Sequence, residues 1–269
     1  MRIPITMCHG IRDDGENPLP VERLDALMRV ASEMDFTSIN YDQYAAWRDG
    51  TGILPERPVL IDFDHPIKNM RYETHDTLAK YGFTGNLFMY TKPYDPEYDR
   101  DLPWPYTPDE HMTWDEVAEL RELGWTIGAH TVSHPNLSDL SLEDPTGERM
   151  RIELDRCIEF IERNLGFRPK DFAFTGTSWS SIAEAEVKKR FRFGRLWIIG
   201  SEYKADGRTI RYADLVGVPG ADEADGGPPM AARYATKDTD PYRLPSMEFQ
   251  HIMYEPSDFR RYLEGALEG

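Results

Sequence analysis

Seven histidines carry most of the chemistry this chain offers at neutral pH: His9, His65, His75, His111, His130, His134 and His251. Imidazole is the commonest metal-binding side chain and an ordinary proton carrier near pH 7. Four of the seven follow short apolar runs. His9 follows residues 3–7, and His65 follows residues 59–63 with Asp64 beside it. His130 and His134 follow residues 126–129, in Gly128-Ala129-His130-Thr131-Val132-Ser133-His134-Pro135. Two histidines four apart face one side of a helical turn, close enough to share one cation. A pair of solvated or capping histidines gives the same spacing, so spacing alone does not decide between them. The place at a strand end, in register with other histidines, favours a ligand pair.

A second signal is Val59-Leu60-Ile61-Asp62-Phe63-Asp64-His65-Pro66. An apolar strand that runs into carboxylates and an imidazole is costly unless those groups are paired or metal-bound. Strand alternation puts Asp62 and Asp64 on one side and Phe63 on the other. Capping of a following turn is the plainer use of the same carboxylates.

These residues need elements to position them. Apolar runs at 3–7, 37–40, 59–63, 86–90, 126–129, 172–174, 196–199 and 247–249 read as strands. Helical periods lie between them, at 21–34, 72–81, 113–123, 147–165 and 180–191. In the first, Leu24, Leu27, Met28 and Ala31 share a face. Thr113-Trp114-Asp115-Glu116 is a capping box, and Gly82, Gly124 and Gly166 are placed to end helices. Strands alternating with helices predict a parallel α/β sheet, and seven or eight such units predict a (β/α) barrel. A doubly wound open sheet is the alternative, but no G-x-G-x-x-G follows a strand. In a barrel, the ends of all parallel strands meet at one rim, where active sites form. Residues 200–242, rich in Gly, Pro, Asp and Ala, read as a long loop excursion within a single domain spanning 1–269.

The whole chain sets outer bounds. Its 269 residues are 40% hydrophobic and 29% charged, an ordinary globular balance. The formal charge of −17 disfavours nucleic acid and anionic membrane surfaces as partners. Cys8 and Cys157 do not form a disulfide framework in a chain this long. No apolar run reaches membrane-spanning length and no signal-peptide core follows Met1, so a cytoplasmic address is expected. Homo-oligomerisation is left open.

At the histidine and aspartate motifs, the chain resembles the polysaccharide deacetylase family, the NodB-homology carbohydrate esterases. The family's H-[ST]-x-x-H is matched by His130-Thr131-Val132-Ser133-His134, with the typical lead-in from Met112 through Gly124-Trp125-Thr126-Ile127-Gly128-Ala129. Its T-F-D-D falls on Asp62-Phe63-Asp64-His65, and its third motif on Phe172-Ala173-Phe174-Thr175-Gly176-Thr177. The opening Ile5-Thr6-Met7-Cys8-His9-Gly10 is similar to a circularly permuted branch whose N-terminal histidine does the work of the usual late one. The resemblance covers roughly residues 1–200. It implies a distorted (β/α) barrel of about seven parallel strands and a divalent metal, usually zinc, with nickel, cobalt or iron as alternatives. It also implies Asp64 as general base and His9 as the acid that protonates the leaving amine. The family's second aspartate, a metal ligand, is His65 here. That departure suggests a three-histidine site of His65, His130 and His134, which suits zinc; the rival is that His65 does not ligate. A backbone N–H near Thr175 and Gly176 is an oxyanion donor by the same resemblance.

The reaction so implied is metal-assisted hydrolysis of an N-acyl group, most simply N-acetyl, on an amino sugar or related small intracellular substrate. Trp179 is a candidate sugar contact. So are Trp104 and Tyr106, although such aromatics are more often packed in loops. His75 and His111 read as solvated residues, His251 as a bystander, and Glu184 with Glu186 as a wet helix face. Two other functions fit the same residues: a metal-independent amidase that opens a cyclic amide, and a non-catalytic carbohydrate-binding protein with degenerate motifs.

Overall fold

Seven of the eight apolar runs become parallel strands that close on one another. The computed structural model describes residues 1–13 and 18–268. The strands are β1 (Ile3–Cys8), β2 (Thr37–Ile39), β3 (Pro58–Asp64), β4 (Asn86–Met89), β5 (Thr126–Ala129) and β6 (Asp171–Ala173), then β7 (Ser178–Trp179), β8 (Phe193–Ile198), β9 (Glu202–Ala205), β10 (Arg208–Arg211), β11 (Tyr234–Ala235) and β12 (Leu244–Glu248). The order β1-β12-β8-β6-β5-β4-β3 is closed by direct pairing of β1 with β3, Met7 opposite Asp62 and Cys8 opposite Phe63. All seven pairings are parallel. This is the expected (β/α) barrel. The run at 37–40 forms β2, which extends the sheet outside the barrel along β3.

The helices are α1 (Val21–Glu33), α2 (Tyr41–Arg48), α3 (Glu73–Ala79), α4 (Trp114–Glu122), α5 (Leu137–Glu143), α6 (Glu148–Leu165), α7 (Ser181–Lys188), α8 (Tyr212–Val216) and α9 (Pro256–Leu267). Among the described residues, no helix is long and apolar enough to cross a membrane. Strand alternation sorts the barrel residues into two cores. Ile5, Leu60, Phe88, Ala173, Phe193 and Leu244 form one buried cluster, on the strand faces that also carry Asp62, Asp64 and Arg195. Val59, Ile61 and Phe63 face the other way and pack with the helices in a larger cluster. Both faces of β3 are covered, so all seven of its residues are buried, as an unbroken apolar run in a parallel strand requires.

The excursion at 200–242 is more ordered than its composition suggests. β9 and β10 form a hairpin turning at Asp206-Gly207, both at positive φ, as tight hairpin turns require. With β7 they make a second, three-stranded sheet. α8 follows, and β11 returns antiparallel to β1.

Candidate active site

Because every barrel strand runs the same way, the residues at their carboxyl ends share one rim. His9 follows β1, Asp64 ends β3, His65 follows it, His130 follows β5 and Glu248 ends β12. Of these, His9, His65 and Glu248 line a cleft of about 910 Å³ together with Trp104, Tyr106 and Trp197, while Asp64 and His130 are buried beneath it.

His65, His130 and His134 come together, one ring nitrogen from each lying within 4.8 Å of the others. The loop between His130 and His134 is not the helical turn that their spacing predicts. Thr131 and His134 both take positive φ, at 68° and 52°, as does His65 at 73°. Such conformations are costly for residues with a side chain, and here they gather at one place. Glu153, buried on α6, holds the loop in shape. Its Oε2 accepts from the Val132 and Ser133 N–H groups at 2.8 and 2.9 Å, and its Oε1 accepts from the Ser133 hydroxyl. The Thr131 hydroxyl accepts from the His134 N–H at 3.0 Å.

The electrostatics suit neutral imidazoles. Burial, reinforced by neighbouring cationic groups, holds His65, His130 and His134 well below the ordinary histidine pKa. His130 Nδ1 lies 2.8 Å from the Ala173 carbonyl, so it carries the proton and leaves Nε2 a lone pair. The Nε2 atoms of His65 and His130 are buried and, among the described residues, have no hydrogen-bond partner. Orphaned buried nitrogens on converging rings are a donor set that a divalent ion would complete. Two bonds of ~2.0–2.1 Å at a tetrahedral ion span only about 3.3 Å, so binding would draw the rings inward.

Asp64 stands beside this set, its Oδ2 3.8 Å from His130 Nε2. Its Oδ1 accepts from Nη2 of Arg195, a fully buried residue of β8. Behind it, Asp62 accepts from Tyr41 at 2.6 Å and Asn86 at 3.1 Å, and lies 3.4 Å from Arg195 Nε. Burial raises Asp62 to about 7 against the pull of Arg195 and Tyr41. Burial also opposes the Arg195 charge, but Asp64 and Asp62 outweigh it and keep the guanidinium protonated. So Asp64 lies beside the histidine set and Asp62 sits behind it, both in contact with Arg195.

His9 packs against His65, with ring centroids 4.5 Å apart, and its Nδ1 lies 3.3 Å from Glu248 Oε1. Trp104 stacks on His65 at 5.1 Å and meets His134 edge-on at 4.8 Å. Gly10, at φ 81°, lets the chain turn away from His9; a Cβ there would lie 2.6 Å from Asn69 Oδ1.

Other expectations need correction. Trp179 is not on the cleft. It is buried in β7, its indole N–H donates to Glu184 at 2.8 Å, and Arg243 stacks on its ring. Glu184 and Glu186 are buried ion-pair residues rather than a wet face, because Lys188, Arg243, Lys189 and Arg190 reach over to them. Thr175 is buried and its hydroxyl is spent on the Pro135 carbonyl; Gly176 turns the chain at φ 65°. His111 is buried against Tyr90, at 2.8 Å, and lines the cleft. His251 pairs with Glu248 at 2.5 Å. Sequence reasoning missed Arg195, Glu153 and Glu248. Arg195 had one usable signal, a charge inside the apolar run of a buried strand.

A family model described as polysaccharide deacetylase matches residues 51–190. YxkH of Bacillus subtilis (strain 168), named for polysaccharide deacetylation, is 22% identical over 147 residues, 55% of this chain and 48% of that protein. The match thus spans about half the length of that relative. The Streptococcus pyogenes deacetylase PplD, solved in complex with acetate, is similar over 98% of both chains, with a TM-score of 0.69 at 12% identity. IcaB from Ammonifex degensii has a TM-score of 0.69 at 12% identity, over 98% of this chain and 97% of its own. At such identities the likeness to solved structures establishes the fold.

Proposed function

The chain belongs to the polysaccharide deacetylase family, and from that premise we propose that it is a divalent-metal-dependent hydrolase removing an N-acyl group, most simply N-acetyl, from an amino sugar or a related small substrate. The observation that carries this reading is the convergence of His65, His130 and His134, with two orphaned Nε2 atoms, beside the carboxylate of Asp64. Three neutral imidazoles would hold the ion, and that donor set suits zinc. The chemistry such an ion supplies when bound is polarisation of the acyl carbonyl and acidification of water.

The chain's own residues do the rest. Asp64, its Oδ1 paired with Arg195, accepts the proton of the attacking water. His9, on the far side of His65, donates a proton to the leaving nitrogen, which is a poor leaving group without one. His9 Nδ1 is turned to Glu248 Oε1, 3.3 Å away, so the proton given up comes from Nε2. A backbone N–H near Thr175 and Gly176 remains the proposed oxyanion donor. Trp104, Tyr106 and Trp197 line the cleft with aromatic faces suited to a sugar ring.

The test is acetate release from N-acetylglucosamine oligomers by the zinc-loaded protein. Turnover by the wild type, reduced about 10³-fold in Asp64→Asn, is the expected result. No release from any N-acetylated amino sugar, or full activity in the variant, would overturn the assignment.

A further inference from the structure

We propose that His251 is a positioning residue for the leaving-group acid, acting through Glu248; this rests on the reading of His9 given above. Glu248 ends β12 opposite Met7 of β1, so β-alternation brings its side chain to the side of His9, two residues beyond Met7. The Glu248 carboxylate is 2% exposed and meets two imidazoles from opposite ends of the chain. Oε1 lies 3.3 Å from His9 Nδ1, and Oε2 lies 2.5 Å from His251 Nδ1. The second contact is the shorter by far.

That asymmetry assigns the roles. A carboxylate held by one long contact can swing about its terminal torsion, which is broad and soft. With Oε2 held in the close ion-pair contact with His251, Oε1 stays on the side of His9 Nδ1. This fixes both the His9 ring and the tautomer that leaves Nε2 toward the substrate. His251 itself sits in the turn after β12, which the Phe249 N–H anchors to the Met7 carbonyl at 3.0 Å. His251 is 27% exposed and does not line the cleft, so it touches neither substrate nor the proposed ligands. Burial alone would push the Glu248 carboxyl up, yet hydrogen bonding from His251 and then His9 keeps it below the ordinary range. Both imidazoles therefore act on the one carboxylate.

The experiment compares His251→Leu, which removes the donor, with His251→Asn, which keeps an N–H near the Nδ1 position. Two substrates separate positioning from general damage. An N-acetyl amide needs a protonated leaving group; 4-nitrophenyl acetate does not, because its phenolate departs unaided. His251→Leu should lower kcat on the amide roughly tenfold, a fraction of the ~10²–10⁴ an acid contributes. KM and ester hydrolysis should stay within about twofold, and His251→Asn should restore most of the amide rate. Equal loss on both substrates, or no loss on either, overturns the proposal. A second readout is independent of turnover. Nitrogen NMR at a pH where His9 is neutral, the form left after its Nε2 proton is given up, should show the Nδ1–H tautomer in the wild type and a mixture in His251→Leu. Unchanged His9 signals overturn the inference. A protein that hydrolyses neither substrate counts against the hydrolase reading, and the ring signals still decide this one.

Discussion

Glu153 shows how much of the site depends on residues that never touch it. Its carboxylate satisfies two backbone N–H groups and a hydroxyl inside the loop that carries His130 and His134. Glu153→Ala leaves those donors buried without a partner, at a cost of about 3 kcal/mol. Urea unfolding should show that loss, and zinc affinity should fall with it because the loop loses its strained form. Unchanged stability would mean that water replaces the carboxylate. The converging imidazoles and carboxylates were legible in the sequence, because each stands at or just past an apolar run that ends at one barrel rim. Their supports were not. Arg195 reaches Asp64 from 131 residues away, and Glu153 reaches Ser133 from a neighbouring helix. Such pairings leave no spacing in the chain; only the closed barrel creates them.

Elements place these groups by close packing. Gly128 lies in β5, two residues before His130, where β4 and β6 flank it. A Cβ there would come within 2.5 Å of the Phe88 ring and 3.0 Å of the Asp171 carbonyl. Gly128→Ala should therefore destabilise the fold by about 1–3 kcal/mol, read as a lowered thermal midpoint. A midpoint equal to wild type would show that Phe88 can yield. Strand ends were predicted within a few residues, since each barrel strand is an apolar run with polar flanks. The helical-turn reading of His130 to His134 failed for a physical reason. Thr131 and His134 sit in the left-handed region, which spacing cannot reveal, and Glu153 rather than helical hydrogen bonds sustains it. The helix α2 was missed although its reciprocal cap was readable: the Asn40 side chain accepts from the Gln43 N–H and the Gln43 side chain from the Asn40 N–H, both at 2.9 Å. The hairpin of β9 and β10 hid in a stretch whose glycine and proline content suggested loop.

The whole molecule is closed by its two ends. β1 pairs with β3 and β12, and Tyr262 of α9 reaches back to the Ile5 N–H and C=O at 3.1 and 3.2 Å. Burial holds Tyr41, Tyr212 and Tyr262 well above the ordinary tyrosine range. Unfolded tyrosines lose their protons near pH 10, while these keep theirs in the folded state. Above that pH the unfolded chain binds fewer protons, so stability falls as pH rises, by about 1.4 kcal/mol per unit for each such group. The contribution is fully present below pH ~10. Urea midpoints between about pH 9 and 11, followed with tyrosinate absorbance, should fall in step with unfolding. A flat profile would contradict the burial of those hydroxyls. Inside the barrel, Asp62 and Asp64 both lie against the guanidinium of Arg195. All of this scaffolding serves one arrangement, three imidazoles converging at the rim, and metal content tests it most directly. Wild-type protein and His130→Ala are each dialysed against zinc, freed of loose ion and assayed by elemental analysis beside a circular-dichroism check of folding. The account predicts close to one zinc per wild-type chain and almost none in the folded variant. Wild-type protein that retains no transition metal, or a variant that retains a full equivalent, would contradict it.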